Sequence, residues 1–360
     1  MLRYIVQRIL LIVPTLIGVT AVVFFVMKAA PGDVADMLIS PEGEMKAEER
    51  TEMIEYIRRR YGLDQPAVVQ YGRWLNQVSP LGFRTDPADG RVLWSRPAIK
   101  KPDLGESFVI RRPVMDMIAE ALPITLLLNI ISIPVIYVVA IVTGLYAARF
   151  RRGVVDVATG VTFLGLWSIP TIWAGVLLIG FLANRQYLYW FPTGGLHDIH
   201  ASTMAFLPRG TPGGFQRGYL LDTLYHLVLP VICLSYAGFA FLSKLARSSI
   251  LESLSMDFVR TARAKGVHER DVLFRHVFRN SLLPLITVAA AILPGLLGGS
   301  IVVETIFSID GMGKLIVGAV KLKDQEVVMA GTLVGGILGL VSYLIADIGY
   351  AIADPRVSYE

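Results

Sequence analysis

Few residues in this chain are equipped for covalent or metal chemistry, and their spacing argues against both. His197 and His200 stand three apart in a Gly-rich stretch without Cys or Glu nearby, the pattern of a solvated loop rather than a metal site. His226 opens an apolar run and reads as an interfacial or packing residue. Gly311-Met-Gly-Lys314 is too short to be the Gly-x-x-x-x-Gly-Lys-[Ser/Thr] loop that cradles phosphates, and neither Gly-x-Ser-x-Gly nor His-Glu-x-x-His occurs. The lone Cys233 rules out an intrachain disulfide. What the chain does carry is recognition by charge. Between Phe258 and Pro284 lie Arg260, Arg263, Lys265, Arg270, Arg275 and Arg279, interleaved at helical spacing with Leu273, Phe274, Val277 and Phe278.

The elements that hold this segment are membrane spans. The 360 residues are 54% hydrophobic and 18% charged, with a mean hydropathy of +0.57. A soluble domain carries about 25% charge. About 20 apolar residues cross a ~30 Å hydrocarbon core. Six stretches qualify: Ile9–Ala29, Leu122–Ala148, Val157–Leu182, Leu224–Leu245, Leu282–Val303 and Val328–Ile352. Each contains Gly, Pro, Ser or Thr, as helices packed in a bundle do. The fold class is therefore all-α, a polytopic six-helix protein. Residues 1–30 form a retained first span, because its apolar run exceeds the h-region of a signal peptide. Residues 31–121 form an extracytoplasmic subdomain, and residues 122–360 a five-helix core with the basic loop at 246–281.

Charge placement orients the chain. Arg149, Arg151 and Arg152 fill one short connection and the basic loop another, so both termini are expected in the cytoplasm. In the long external segment, Lys46–Tyr61 has helical spacing, and Asp64 and Pro66 suit the start of a second helix. Pro80–Pro102 and Ala183–Asp222, rich in Gly and Pro, read as loops. The spans hold almost no charge in their cores. Lys28, Lys244, Glu304 and Asp347 fall near predicted ends, where they can snorkel or pair. That pattern disfavours a proton-coupled path. Asn129, Ser132, Thr143, Ser168, Thr171 and Ser235 are the polar residues inside. They serve either helix–helix hydrogen bonding or the lining of a mildly polar solute path.

Within the basic loop, the fourth span is expected to continue from Lys244 as one amphipathic helix. Leu251, Leu254, Phe258, Val259 and Ala262 share a face, and Gly266 ends the helix. A second helix follows. Two readings of this knob stand side by side: an apolar face inserted into a protein groove with a basic rim, or a basic loop resting on anionic lipid.

Phe258-Val-Arg-Thr-Ala-Arg-Ala-Lys-Gly-Val resembles the cytoplasmic signature loop, the EAA motif, of ABC-importer permeases of the oligopeptide/dipeptide/nickel class. Arg260, Thr261 and Ala262 occupy the EAA positions, and Gly266 is the motif glycine. The general Ile-x-Leu-Pro register holds His276, Val277, Phe278 and Arg279 instead, and Arg-His-Val-Phe-Arg-Asn-Ser-Leu-Leu-Pro284 resembles the peptide-class variant. The likeness extends along the chain through Ala-Pro-Gly-Asp33, Tyr-Gly-Leu-Asp-Gln-Pro66, Leu-Gly-Glu-Ser-Phe108, Leu-Pro-Ile-Thr-Leu126, Glu-Thr-Ile-Phe-Ser308, Gly311-Met-Gly313 and Asp-Pro-Arg356. The closing region is most similar to Yej-type peptide permeases.

The resemblance implies a transporter subunit rather than an enzyme, forming half of the translocation pathway for peptides or peptide-like solutes. It implies a bacterial inner membrane location. The implied partners are a second homologous permease, two ATPase subunits or domains that bind the ATP and Mg, and an extracytoplasmic solute-binding protein. No cofactor is expected in this chain, and no nucleic acid among its partners. It also implies that Phe258, Arg260, Thr261, Ala262, Lys265 and Gly266 couple to the ATPase, with Phe258 as a groove anchor. The fourth span would serve as a stiff lever. Asn129, Ser132, Ser168, Thr171 and Ser235 are the candidate path residues, and no metal site is expected. The rival class is an ion-driven carrier or channel acting without ATPases.

Overall fold

A computed structural model describes residues 2–30, 64–85, 92–211, 214–282, 284–289 and 301–353. The chain divides into two compact units, one drawn from Leu122–Lys314 and Gly339–Glu360, the other from Leu2–Ala121 and Leu315–Leu338. Among the described residues the helices include α1 (Leu2–Ala29), α2 (Ala67–Val78), α3 (Val114–Arg149), α4 (Val154–Trp167), α5 (Thr171–Leu178), α6 (Gly218–Leu254), α7 (Asp257–Ala264), α8 (Glu269–Asp271), α9 (Phe278–Ser281), α10 (Ile301–Ile306), α11 (Met312–Lys321) and α12 (Gln325–Ala353), and residues 284–289 are helical as well.

Among the described residues, four helices are long and apolar enough to cross a membrane: Val6–Ala29, Val114–Arg149, Gly218–Leu254 and Gln325–Ile345. These match the first, second, fourth and sixth expected spans. The third is not one straight helix. It breaks into α4 and α5, bent by 96°. The break falls at Pro170, which has no N–H to donate and disfavours the helical region for Ile169 before it. A break inside lipid leaves carbonyls that need partners. α6 supplies them: Tyr236 Oη donates to Ile169 O at 2.6 Å, and Cys233 Sγ lies 3.6 Å from Thr171 O. α5 runs on as a π-helix, Ile179–Ala183. The fifth expected span falls largely on residues 290–300, outside the described residues.

In the first unit, α3 and α6 approach closely at Gly144, where an added Cβ would stand 2.7 Å from Ala246 Cβ and 2.9 Å from Ser243 O. Beside it Thr143 Oγ1 and Ser243 Oγ share a 2.9 Å hydrogen bond. Small residues at a crossing let backbones come together and hydrogen-bond in lipid. Leu128, Leu227, Leu229, Val303, Phe307 and Ile309 form a buried cluster, with Cys233 packed among them. Among the described residues Ala183–Asp222 is mostly turns and bends, as its glycines suggest, apart from a single 3-10 turn at Ala201–Thr203, a short hairpin of β3 (Arg209–Thr211) and β4 (Gly214–Gln216), and the last residues, where α6 has already begun.

Glu304 departs from expectation. It does not snorkel at a helix end; it is fully buried. Its carboxylate accepts Thr125 Oγ1 at 3.0 Å and the Lys314 backbone N–H at 2.9 Å, and Met312 N donates in turn to Thr125 Oγ1 at 2.8 Å. Gly311 leaves the room this carboxylate needs, since a Cβ there would stand 2.5 Å from Glu304 Cδ.

In the second unit, Tyr71 of α2 donates to Ile17 O at 2.7 Å and lies 2.9 Å from Thr20 Oγ1 on α1. Its ring packs 5.3 Å from Phe24. The expected loop Pro80–Pro102 contains an antiparallel hairpin, β1 (Leu81–Thr85) paired with β2 (Val92–Ile99), and a bulge at Phe83/Arg84. Asn76 of α2 secures it, accepting Phe83 N at 2.7 Å and donating to Phe83 O at 3.1 Å. Among the described residues the protein is thus mostly helical with two small two-stranded sheets, not purely α. Asp64 does not cap α2. Pro66 takes the N-cap position, with no side-chain hydrogen bond. Ser107 Oγ donates to the Asp324 carboxylate, which Phe108 and Val109 N–H also approach at 3.4 Å. Lys46–Tyr61 lies outside the described residues.

Candidate functional site

The basic segment folds into a small body with its own core. α6 stops at Leu254 rather than continuing, because Met256 adopts an extended backbone (φ −77°, ψ 154°). The expected single lever is therefore two helices with a break at Ser255–Met256. α7 begins with Asp257, whose negative charge suits the positive end of a helix dipole. It ends as the glycine predicts. Gly266 takes φ +75°, its N–H donates to Arg263 O at 3.0 Å, and Val267 N donates to Ala262 O at 3.2 Å. This pair of bonds with an apolar partner beyond the turn is the Schellman termination, which only glycine makes without strain.

Across the turn, Arg263 grips Glu269 with two hydrogen bonds, Nε to Oε2 at 3.1 Å and a terminal nitrogen to Oε1 at 2.5 Å. The Arg263 hydrogen bonds hold the Glu269 carboxyl below the usual carboxylate range and raise the guanidinium in turn. His268 Nδ1 accepts Arg270 N at 3.2 Å and so caps α8. The chain then passes through a π-helix, Val272–Val277, before α9. Residues five apart share a face of a π-helix. Val272 and Val277 are accordingly both fully buried, against Ile250, Val259, Ala262 and Ala148. Ser249 Oγ on α6 donates to Ser281 O at 2.9 Å, tying the far end of the body to the long helix.

The placement of the expected residues divides them sharply. Arg260, Thr261, Lys265 and Gly266 are exposed. Arg260 lies 3.8 Å from Asp257 with both side chains almost wholly in solvent, and Thr261 Oγ1 donates to Asp257 O at 3.0 Å. Ala262 is buried, and Phe258 is half-buried against the body's own core. The apolar face of α7 is thus consumed internally and is not free to enter a groove; the face turned outward is polar and basic. Phe274, 49% exposed, and Met256, 45% exposed, are the large apolar side chains this body shows to solvent among the described residues. Sequence reasoning missed Val272, which a 3.6-residue period does not align with Val277. Only the β-branched pair five apart pointed to it.

The five candidate path residues do not behave alike. Asn129 is buried and donates to Thr125 O at 2.9 Å within α3. Ser132 and Ser235 are buried, and each Oγ has no hydrogen-bond partner among the described residues. Ser168 is exposed at the α4–α5 bend, with Oγ bonded back to Leu164 O and Gly165 O, and Thr171 is half-buried just beyond it. His226 is half-buried, its Nδ1 2.9 Å from Asp222 O and 3.5 Å from the Asp222 carboxylate. His197 lies in a turn with its ring 5.4 Å from that of Tyr219.

A second ion pair, like Arg263–Glu269, carries no signature in the sequence. Arg247 on α6 meets Asp156 on α4 through two hydrogen bonds of 2.6 and 2.7 Å, and Arg152 N adds a third to the same carboxylate at 2.8 Å. This fixes the cytosol-predicted end of α4 against α6 where the knob departs.

Comparison with known proteins agrees with this architecture. Residues 140–359 match the binding-protein-dependent transport system inner membrane component, and residues 1–129 match the N-terminal region of such components. The chain is 37% identical over 361 residues to the oligopeptide transport system permease protein AppB of Bacillus subtilis, covering all of both chains. It is 35% identical over 362 residues to a putative peptide transport system permease protein of Brucella abortus, again covering both fully. It is 32% identical over 364 residues to the di/tripeptide transport system permease protein DppB of Pseudomonas aeruginosa, with the same coverage. The chain belongs to the family of inner-membrane permease components of binding-protein-dependent ABC transport systems.

Proposed function

We propose that this permease carries peptides or peptide-like solutes. In this reading it forms half of a translocation pathway with a second, related permease, and the complex draws power from two ATPase subunits, one of them docked at the Asp257–Ser281 body. An extracytoplasmic solute-binding protein delivers the solute. The six-span arrangement, with residues 31–121 outside and both termini in the cytoplasm, belongs to the same proposal. So does the assignment of Arg260, Thr261, Lys265 and Gly266 as the surface that meets the ATPase, with Ala262 and Phe258 shaping it from beneath. The bend at Ser168–Thr171 and the unpartnered hydroxyls of Ser132 and Ser235 are the places where solute would be sensed. The peptide assignment follows the named full-length relatives, all of them peptide permeases.

The observation that carries the coupling assignment is the division of α7. Its apolar side closes the body's own core while Arg260, Thr261 and Lys265 stand outward on a backbone fixed at both ends. Preorganised charge of this kind steers and registers a protein partner. Cysteine cross-linking tests it directly. The native Cys233 is buried, so Arg260→Cys supplies an accessible thiol. It should cross-link to an ATPase subunit in membranes, with a yield that changes on adding ATP. A cross-link to lipid alone, or none in an assembled complex, refutes the assignment.

A further inference from the structure

A furrow runs along the seam of α4 and α6, with a volume of about 470 Å³. That lies in the range of ligand clefts, roughly 300–1,000 Å³. One end is apolar, walled by Phe163, Leu164, Trp167 and Phe241. The other end is polar, formed by the Asp156–Arg247 pair and Lys244. Trp167, Leu164 and Phe241 are each about three-fifths exposed, at 62, 64 and 59%. Gly160 forms the floor midway, and a Cβ placed there would meet nothing within 4 Å.

We propose that this furrow binds one anionic phospholipid, its phosphate at Lys244 and an acyl chain laid past Gly160 toward Trp167. Two properties select that occupant. The first is length. Asp156 and Trp167 are eleven residues apart on one helix, about 16 Å at 1.5 Å per residue, and half of a ~30 Å hydrocarbon core is about 15 Å. The furrow spans one leaflet. The second is charge. Lys244 and Arg247 line its polar end against the single carboxylate of Asp156, which Arg247 already occupies, and Arg149, Arg151 and Arg152 fill the short connection that leads into the same end of α4. Lys244 has no ion pair or hydrogen bond among the described residues. An amine at the mouth of an apolar slot, in a collar of net positive charge, fits a phosphate diester attached to a hydrocarbon chain. It disfavours a choline head, which brings its own cation.

The test uses the assembled, delipidated complex, titrated with phosphatidylglycerol or phosphatidylcholine and read by native mass spectrometry. Phosphatidylglycerol should bind more tightly. Lys244→Gln should weaken it roughly fivefold, the change that one lysine near an anionic surface confers, and should weaken phosphatidylcholine less. Lys244→Arg should retain binding, and Gly160→Phe should remove both lipids from this site. Equal affinity for the two lipids, or phosphatidylglycerol binding untouched by Lys244→Gln, overturns the proposal. So does a photocrosslinker at Phe241 that captures the second permease instead of lipid. If Gly160→Phe fails to assemble, the Lys244 pair alone decides.

Discussion

Replacing Gly266 should separate ATP hydrolysis from transport, and the size of the effect follows from the backbone. Gly266 holds φ +75°, and an added Cβ there would meet no heavy atom within 4 Å. Packing therefore contributes nothing, and the cost is the left-handed conformation alone. For an ordinary L-residue that is about 1–2 kcal/mol, and a β-branched residue fits the region worst. Since each 1.4 kcal/mol is tenfold in an equilibrium, Gly266→Val should shift the balance between the formed termination and a frayed one about tenfold toward the frayed form. The Gly266–Arg263 and Val267–Ala262 hydrogen bonds go with it. The exposed face of α7 then loses its fixed orientation, while insertion and span packing are untouched. The assay is ATP hydrolysed per solute imported in proteoliposomes of the full complex. The ratio should rise in the order glycine, asparagine, alanine, valine, because asparagine tolerates the left-handed region. A valine variant with the wild-type ratio refutes the reasoning. So does an asparagine variant as impaired as valine, which would implicate the added side chain rather than φ.

Other consequences are smaller or more local. Arg247→Ala strips the Asp156 carboxylate of two hydrogen bonds at a mostly buried position. It should cost about 1–3 kcal/mol, seen as a lower Tm of the purified protein, with partial recovery in the Asp156→Asn/Arg247→Gln pair. Gly311→Ala drives a methyl into the Glu304 carboxylate and should destabilise by about 1–3 kcal/mol; an unchanged thermal transition would contradict the buried geometry. For the Arg263–Glu269 clasp the depressed carboxyl value sets the sign. Its contribution is complete above the unfolded pKa of about 4.3 and is lost as pH falls through the folded value. Coupling should therefore be flat from neutral to mildly acidic pH, while Glu269→Gln lowers it across that range. A Glu269→Gln variant indistinguishable from wild type would remove the clasp from the mechanism.

The long apolar runs made four of the spans legible, because about 20 apolar residues have few other uses. The break in the third was present in the sequence as Ile169-Pro170, but proline is frequent in membrane helices. Pro14, Pro134 and Pro230 all sit inside unbroken ones. What distinguishes Pro170 is the partners offered by Tyr236 and Cys233, and those are tertiary. The Gly266 stop was legible because it rests on one residue's φ. The continuity of α6 into α7 was misread, since Leu251, Leu254 and Phe258 keep helical spacing across a two-residue interruption that has no proline or glycine to mark it. Glu304 was misjudged for a similar reason. Its depth is set by Thr125, 179 residues away, and by the backbone N–H of a turn that no pattern announces.

The interruption at Ser255–Met256 has a mechanical meaning for the proposed cycle. A continuous helix would act as a rod, and any push on α7 would travel down its backbone. With the rod cut, force must cross by bracing: through the Ser249–Ser281 hydrogen bond and the wedge of Val272 and Val277 against Ile250. The joint thus resembles a ball seated in a socket made by the same chain. Its stiffness is set by packing, which can be tuned one methyl at a time, and Val272 and Val277 become the residues where transmission can be softened without touching either the exposed face or the spans.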